Sequence, residues 1–356
     1  YGKPRFDMSE LVSLTDGVFQ LNCKYFEDKF RFISKHPAEP VYNQTLPAFM
    51  KGIPLRVHSD LLTQDHIDIA ASAQYWLETN LLSFFRHYQE LTGAANLCFS
   101  GGVALNSHFN GILGSSGLFR SIYIPPFAGD SGLGIGSAQL AYARKKLSKP
   151  SPLASPYLGS ASPDEDQLSD LFESIGIAFK KVTVQEISIL LSNSNVIGLF
   201  SGRAEAGPRA LGNRSIIASP IKSDMKNIVN TKIKYREEYR PFAPVVLPEY
   251  YKDFFEESAC NLDFMTSVVA AKPVAKSACP AVVHIDDTAR VQVATQGSLI
   301  YDILRSFYKV TSVPVLLNTS FNLKGEPNVE SPRDAIRTFY SSGLDYLVIW
   351  PFIVSK

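Results

Sequence analysis

The chain has 356 residues, 45% of them apolar, which is more than a single hydrophobic core accommodates and argues for two domains. Thirty-five basic residues balance 34 acidic ones, so no nucleic-acid partner is expected and any basic site has to be local. Cys23, Cys98, Cys260 and Cys279 form no CxxC pair, and no run reaches membrane-spanning length or forms a leader, so the chain reads as a reduced, soluble, cytoplasmic protein with no membrane association and no structural zinc.

The first residues, Tyr1-Gly2-Lys3-Pro4, lack a methionine, and the chain reads as a portion of a longer protein. Residues 60–93 carry the broad apolar face of a long helix, with Asp65 as its cap and Gly93 as its stop. An apolar run at 96–100 ends in Gly101 and Gly102, and 103–106 can begin a helix. The same order of strand, glycine turn and helix returns at 121–125, GDSGLGIGS at 129–137, and a helix over 137–145. Free amides at a helix N-terminus favour phosphate, and glycines such as Gly129 and Gly132 let the backbone approach it closely. Asp130, at the strand end, suits a metal or a metal-bound water, or a cap for the next helix. Neither turn is a dinucleotide fingerprint, and Cys98 beside the first reads as a small buried hydrophobe.

A stretch rich in serine and proline at 147–163 reads as the linker between a first domain over 1–146 and a second over 164–356. The second domain alternates: a capped helix at 164–175, a strand at 179–184, a helix at 184–193 and a buried strand at 196–200, an α/β pattern. That strand delivers GRAEAGPRALGNRS at 202–215, where Gly202, Gly207, Pro208 and Gly212 interrupt every helical register. Arg203, Arg209 and Arg214 supply planar forks there for phosphate or carboxylate. At 227–246, Lys232, Lys234, Arg236 and Arg240 mingle with Glu237 and Glu238. Arg240, beside Pro241 and Phe242, reads as a positioned guanidinium at a helix end.

HIDDTARVQ at 284–292 is expected to form a turn with Thr288 and Arg290, and a lone histidine such as His284 is more often structural than basic. Finally an apolar strand from 313 runs into Asn318, Thr319, Ser320 and Asn322, polar groups at a strand end where open α/β sheets bind ligand. Such side chains can hold a carboxamide-like group and phosphate oxygens. His36, His58, His66, His87 and His108 have no second histidine at i+3 or i+4. No GxSxG elbow or P-loop lysine occurs either.

Together SGGVALN, GDSGLGIGSA, GRAEAGPRALGNRS, KIKYREEYRPFAP, HIDDTARVQ and LNTSFNLKGEP, with YGKP at the start, resemble the O-carbamoyltransferase family, which includes the nodulation carbamoyltransferases and enzymes that carbamoylate antibiotics such as tobramycin and cephamycin. The resemblance implies a partial actin-like (ASKHA) lobe, like that of the tRNA threonylcarbamoyl-transfer proteins, followed by a YrdC-like α/β domain with a twisted mixed sheet. It implies that carbamoyl phosphate and ATP form carbamoyl adenylate in the second domain, and that the first passes the carbamoyl group to a hydroxyl of a small acceptor, a sugar or an antibiotic intermediate.

On this sequence Arg209, Arg214, Lys234, Arg240 and Arg290 would cradle carbamoyl phosphate and the ATP phosphates, with Asn318 and Ser320 on the carbamoyl end and Thr288 and Asn322 beside them. Gly101, Gly102, Asn106, Gly129 and Gly132 would contact nucleotide. Asp130 would ligate the divalent metal, Fe2+ or another, of the transfer site, and Mg2+ would accompany ATP. Family members carry about half of the first domain, with an HxxxH-type pair, before the YGKP position, so the transfer half-reaction is expected to be impaired in this chain. A homodimer is compatible with this reading. The competing classes are threonylcarbamoyl-AMP chemistry directed at tRNA, and a non-catalytic nucleotide-binding subunit that needs an N-terminal partner.

Overall fold

A computed structural model describes residues 2–22, 53, 61–145, 155–237 and 239–356. Tyr1, Cys23, His36, His58, Glu238 and residues 147–154 of the expected linker lie outside the described residues. The chain divides into two compact units, one of residues 1–95 with 118–120, the other of 96–117 with 121–356.

In the first unit, β1 (Val12–Thr15) and β2 (Val18–Leu21) pair antiparallel around Asp16 and Gly17, whose φ values of 51° and 73° are those of a tight two-residue hairpin. Asp-Gly is the sequence signal for that turn, and it was not among the expected elements. The long helix runs Gln64–Thr92 and stops, as expected, at a left-handed Gly93 whose N–H reaches the Gln89 carbonyl. Its cap is Thr63 and not Asp65. The Thr63 hydroxyl accepts from the His66 N–H while the His66 ring answers the Thr63 N–H, leaving Asp65 in the first turn to pair with Arg5. Phe19 of the hairpin stacks on Phe84 of the helix at 5.5 Å.

In the second unit, β3 (Asn96–Cys98) and β4 (Ser121–Tyr123) form a parallel pair. The helix expected at 103–106 is a single tight turn, Gly102–Leu105, and the α-helix proper is Ser107–Ser115. The break falls at Asn106, whose Oδ1 accepts from the Phe109 N–H and so caps the α-helix. The next helix begins earlier than expected, at Leu133, because Asp130–Gly132 already form a helical turn leading into it. Cys98 is exposed, against expectation, while Cys260 and Cys279 are buried.

The capped helix is confirmed at Glu165–Ser174, with Asp164 and Gln167 forming the box. The strand expected at 179–184 shrinks to β5 (Lys180–Lys181), since Thr183 already caps the helix Val184–Ser192. The remaining strands are β6 (Ile197–Phe200), β7 (Arg214–Ala218), β8 (Ala243–Val246), β9 (Val269–Ala270), β10 (Thr288–Ala289), β11 (Gln292–Val293), β12 (Val315–Ser320), β13 (Tyr346–Ile349) and β14 (Phe352–Ser355). Eight of the strands build one mixed sheet in the order β11-β8-β12-β7-β6-β13-β14-β5. The β11/β8 and β13/β6 pairs are parallel and the others antiparallel.

Its central strands β6, β7 and β8 are buried at every position, which is why they read as unbroken apolar runs. The Val184–Ser192 helix meets the helix Leu299–Thr311 through Ser188, whose hydroxyl reaches the Ile303 carbonyl at 3.1 Å. The fold is therefore mixed α/β around a large mixed sheet. Among the described residues no helix is long and apolar enough to cross a membrane.

Candidate functional site

The glycine-broken loop at 202–215 wraps around an anion of its own. Glu205 Oε1 accepts from the backbone N–H groups of Leu211 (2.7 Å), Asn213 (2.8 Å) and Arg214 (3.2 Å). Gly207 and Gly212 make this path available, with φ of 101° and 115°. A Cβ at Gly212 would stand 2.7 Å from the Ile300 side chain. Arg214, at the start of β7, is fully buried and spends its guanidinium inward. It donates to the carbonyls of Ser201 (2.6 Å), Asn213 (3.1 Å) and Ser160 (3.2 Å) and lies 3.5 Å over the Phe200 ring. Burial pushes it down to about 10, with Glu205 and Glu330 acting in the opposite sense. Structure thus separates Arg214 from the other expected cations and makes it a bolt through the loop.

Those other cations converge. Arg209 from the loop, Arg236 and Arg240 from the segment before β8, and Arg290 from between β10 and β11 line one cavity of about 420 Å³ together with Thr288, His284 and His108. Burial lowers Arg209, and burial with the charges of Arg209 and Arg236 pushes Arg290 down to about 9. Burial and Arg240 push Arg236 down to about 10, against the pull of Glu237. The Nε atoms of Arg236 and Arg290 are buried without an acceptor. Arg236 is fixed by stacking 4.4 Å over Phe242 and donating to the Pro241 carbonyl. Arg240 is the exception to its expectation: it follows no helix end, its side chain is 57% exposed, and its nearest partner is Glu237 at 3.6 Å.

Like charges gathered with so little opposing charge raise one another's free energy, and a multivalent anion relieves all of them at once. The one carboxylate lining the cavity, Asp286, is turned toward His284 and Thr288 and accepts from the Thr288 hydroxyl at 2.7 Å. Arg236 is the member that sequence reasoning left among solvated charges. Its signal was the aromatic two positions after Arg240, which gives the guanidinium a surface to lie on.

Lys234 belongs to a second cluster. The helix at Met225–Val229 widens into a π-turn over Asn230–Lys234, ended by a left-handed Tyr235, and this turns Lys234 into the protein. Its Nζ donates to the carbonyl (2.5 Å) and hydroxyl (3.2 Å) of Ser320 and to the carbonyl (3.1 Å) and Oδ1 (2.8 Å) of Asn322. Burial, with Arg236 adding, pushes the ammonium down to about 7, and the ring of acceptors works the other way. Asn318 is buried in mid-strand. Its Nδ2 donates to Gln292 Oε1 (2.8 Å) and the Ala210 carbonyl (3.2 Å), while Oδ1 is buried without a donor. Gln292, which the sequence did not single out, also donates to the Leu211 carbonyl at 2.7 Å, so β11 and β12 hold the loop segment next to Arg209.

The two glycine turns meet in another cavity, of about 760 Å³, lined by Gly101, Gly129, Asp130 and Gly132 with the first turn of the helix at Leu133. The Gly101 N–H reaches the Ala128 carbonyl at 2.8 Å, and Gly129 and Gly102 lie back to back. Gly102 and Asn106 are not on its lining. Among the described residues no three His, Cys, Asp or Glu side chains gather as metal donors. Asp130 alone does not make a metal centre, and no step is derived through one.

Known proteins share these segments. Residues 1–139 match the model described as carbamoyltransferase N-terminus, and 188–356 the model described as carbamoyltransferase C-terminus. Nodulation protein NolO of Bradyrhizobium diazoefficiens is 39% identical over 87% of this chain and 58% of its own length. Uncharacterized protein sll1178 of Synechocystis is 35% identical over 100% of this chain and 62% of its own. A solved structure of full-length HypF, in a phosphate- and nucleotide-bound form, overlaps 47% of this chain and 21% of its own with a TM-score of 0.33 and 12% identity, too small a likeness to bear on the fold. The chain spans about six-tenths of the length of these two relatives, NolO and sll1178. With both family models matching in order and covering most of its length, the chain belongs to the carbamoyltransferase family.

Proposed function

We propose that the arginine cavity is where carbamoyl phosphate and ATP bind and carbamoyl adenylate forms, as part of an O-carbamoyltransferase whose acceptor is the hydroxyl of a small molecule. The observation that carries this reading is the convergence of Arg209, Arg236, Arg240 and Arg290 on one cavity whose lining includes a single carboxylate. A carbamate is a poor electrophile until it is adenylated. In that step its oxygen attacks the α-phosphorus of ATP and pyrophosphate leaves, so negative charge grows on oxygens that fixed guanidinium groups can neutralise. Arg290 and Arg236, buried and held without carboxylate partners, are suited to that charge because little reorganisation is needed when it develops. Arg240, exposed and long, is suited to the outer phosphates.

Lys234, Ser320 and Asn322 form a polar clamp at the end of β12, which we assign to the carbamoyl end of the substrate, with Asn318 Oδ1 as an acceptor for its amide. The cavity of Gly101, Gly129, Gly132 and Asp130 is assigned to nucleotide in the transfer half of the reaction. In this reading residues 1–146 belong to an actin-like lobe, 147–163 to a linker and 164–356 to a YrdC-like domain. Magnesium would enter with the nucleotide.

Incubation with carbamoyl phosphate, ATP and magnesium tests the proposal. Release of pyrophosphate that requires carbamoyl phosphate is the expected result. Turnover that instead requires bicarbonate and threonine would move the chain to threonylcarbamoyl chemistry, and folded protein releasing no pyrophosphate would remove the assignment.

A further inference from the structure

His284 lies on the wall of the arginine cavity, its side chain 16% exposed, and its surroundings restrict its protonation. The backbone of its turn is closed without it: the His284 N–H reaches the Thr288 carbonyl at 2.8 Å and the Asp287 N–H returns to the His284 carbonyl at 3.0 Å. The imidazole is left to reach across. Nδ1 is 3.0 Å from Asp286 Oδ1, and Nε2 is 3.4 Å from the carbonyl of Tyr239, the neighbour of Arg240. A carboxylate and a backbone carbonyl are both acceptors only. A neutral imidazole has one N–H and can satisfy one of them, whereas the imidazolium has two and satisfies both.

The remaining charged groups decide when that form is present. Asp286 favours it, and Asp287 on the same turn is paired with Lys276 at 2.7 Å. Arg290 beyond the turn, Arg209 from the loop, Arg236 and Arg240 (paired with Glu237) from the segment before β8, and His108 from the helix Ser107–Ser115 all raise the positive potential of the cavity and oppose it. An anion in the cavity cancels that opposition. By linkage, a proton on His284 must then strengthen the anion's binding by the same factor.

We propose that His284 is a proton-linked positioning residue: as the imidazolium it ties the turn that leads to Arg290 to the segment that carries Arg240, and the cavity takes up a proton together with its phosphate-bearing ligand. This rests on the reading of the cavity as a phosphate site.

Sulfate is the probe, because it remains a dianion across the whole range and any pH dependence belongs to the protein. Calorimetric titrations of the full chain should show sulfate binding about tenfold tighter near pH 6 than near pH 8.5, with proton uptake revealed by changing the buffer. In His284→Gln, and in His284→Arg, where the charge is permanent, affinity should no longer depend on pH. In the wild type, imidazole nitrogen NMR shifts should show both ring nitrogens of His284 protonated near pH 6 in the presence of sulfate. A fall in affinity that persists in His284→Gln but vanishes in Lys234→Met would overturn the proposal and give the proton to Lys234. Sulfate binding that is flat with pH in the wild type, or a neutral His284 ring at the lower pH, would overturn it and leave the phosphate site standing. No sulfate binding at any pH would remove the phosphate site and this proposal with it.

Discussion

Arg290 and Lys234 are both basic side chains under cover, and each is held in a different way. Arg290 has only other cations for electrostatic company, so its burial works against stability and is explicable through a ligand. Arg290→Met should therefore lower pyrophosphate release by about a hundredfold or more while leaving the thermal midpoint unchanged or raised. A midpoint that drops by several degrees with activity retained would show a structural arginine instead.

Lys234 titrates at about 7 in the folded chain against an ordinary value of 10.5. Between those values the unfolded chain holds a proton that the folded chain has released, so this group's contribution to stability rises with pH across that window and is least favourable below about 7. Urea midpoints of the wild type measured against Lys234→Met should shift in favour of the wild type from about pH 7 to about pH 10. An unchanged difference would mean that the four oxygens around Nζ keep the ammonium charged throughout.

At the scale of the element, the loop at 202–215 is a folded object before it is a binding one. Glu205 gathers three of its amides, Arg214 gathers carbonyls from both of its ends, and Gln292 with Asn318 pins the carbonyls of Leu211 and Ala210. Arg214→Met removes the donors of several buried carbonyls at once and should cost on the order of 3 kcal/mol of stability, read as a lowered urea midpoint. Activity of the folded fraction should survive in part, because Arg214 does not line the cavity. Equal loss of pyrophosphate release in Arg214→Met and Arg290→Met, with Arg214→Met fully stable, would return Arg214 to the anion site.

The composition of this loop was legible as arginines on a bent backbone. Which arginine faced a ligand was not, because β7 begins at Arg214 and its side-chain direction comes from pairing with Phe200 across the sheet. The same limit applies at Asn106 and Asp65: residue type marked a helix start, but the cap position depends on φ and ψ, which residue type alone does not fix.

For the whole molecule, no side chain of the arginine cavity belongs to the first compact unit. There Asp68 is a buried carboxylate that accepts from the Lys3 N–H (2.8 Å), Gln64 (2.8 Å) and Arg5 (2.6 Å), and the Lys3 bond foremost holds it below the ordinary carboxylate value of 3.8. A depressed value means that its stabilisation is present above 3.8 and is lost as pH falls through the folded value. Asp68→Asn should weaken the stability of this unit near neutral pH and flatten its acid unfolding, measured by circular dichroism, while pyrophosphate release is unchanged. Loss of that release in a folded Asp68→Asn chain would contradict the assignment of the chemistry to the second unit.

Local chemistry and residue pattern were enough for the α/β alternation, the buried strand before the loop, the Gly93 stop, the Asp164 cap, two glycine turns, and a family resemblance that the relatives bear out. Which cations share a cavity was settled by tertiary structure alone. Arg209, Arg236, Arg240 and Arg290 are brought together from three separate segments by strand order, while Arg214 and Lys234, of the same chemical kind, are turned to carbonyls and hydroxyls elsewhere. Hydrophobic period and turn residues act over a few neighbours, whereas the company a charge keeps depends on which strands pair across the sheet.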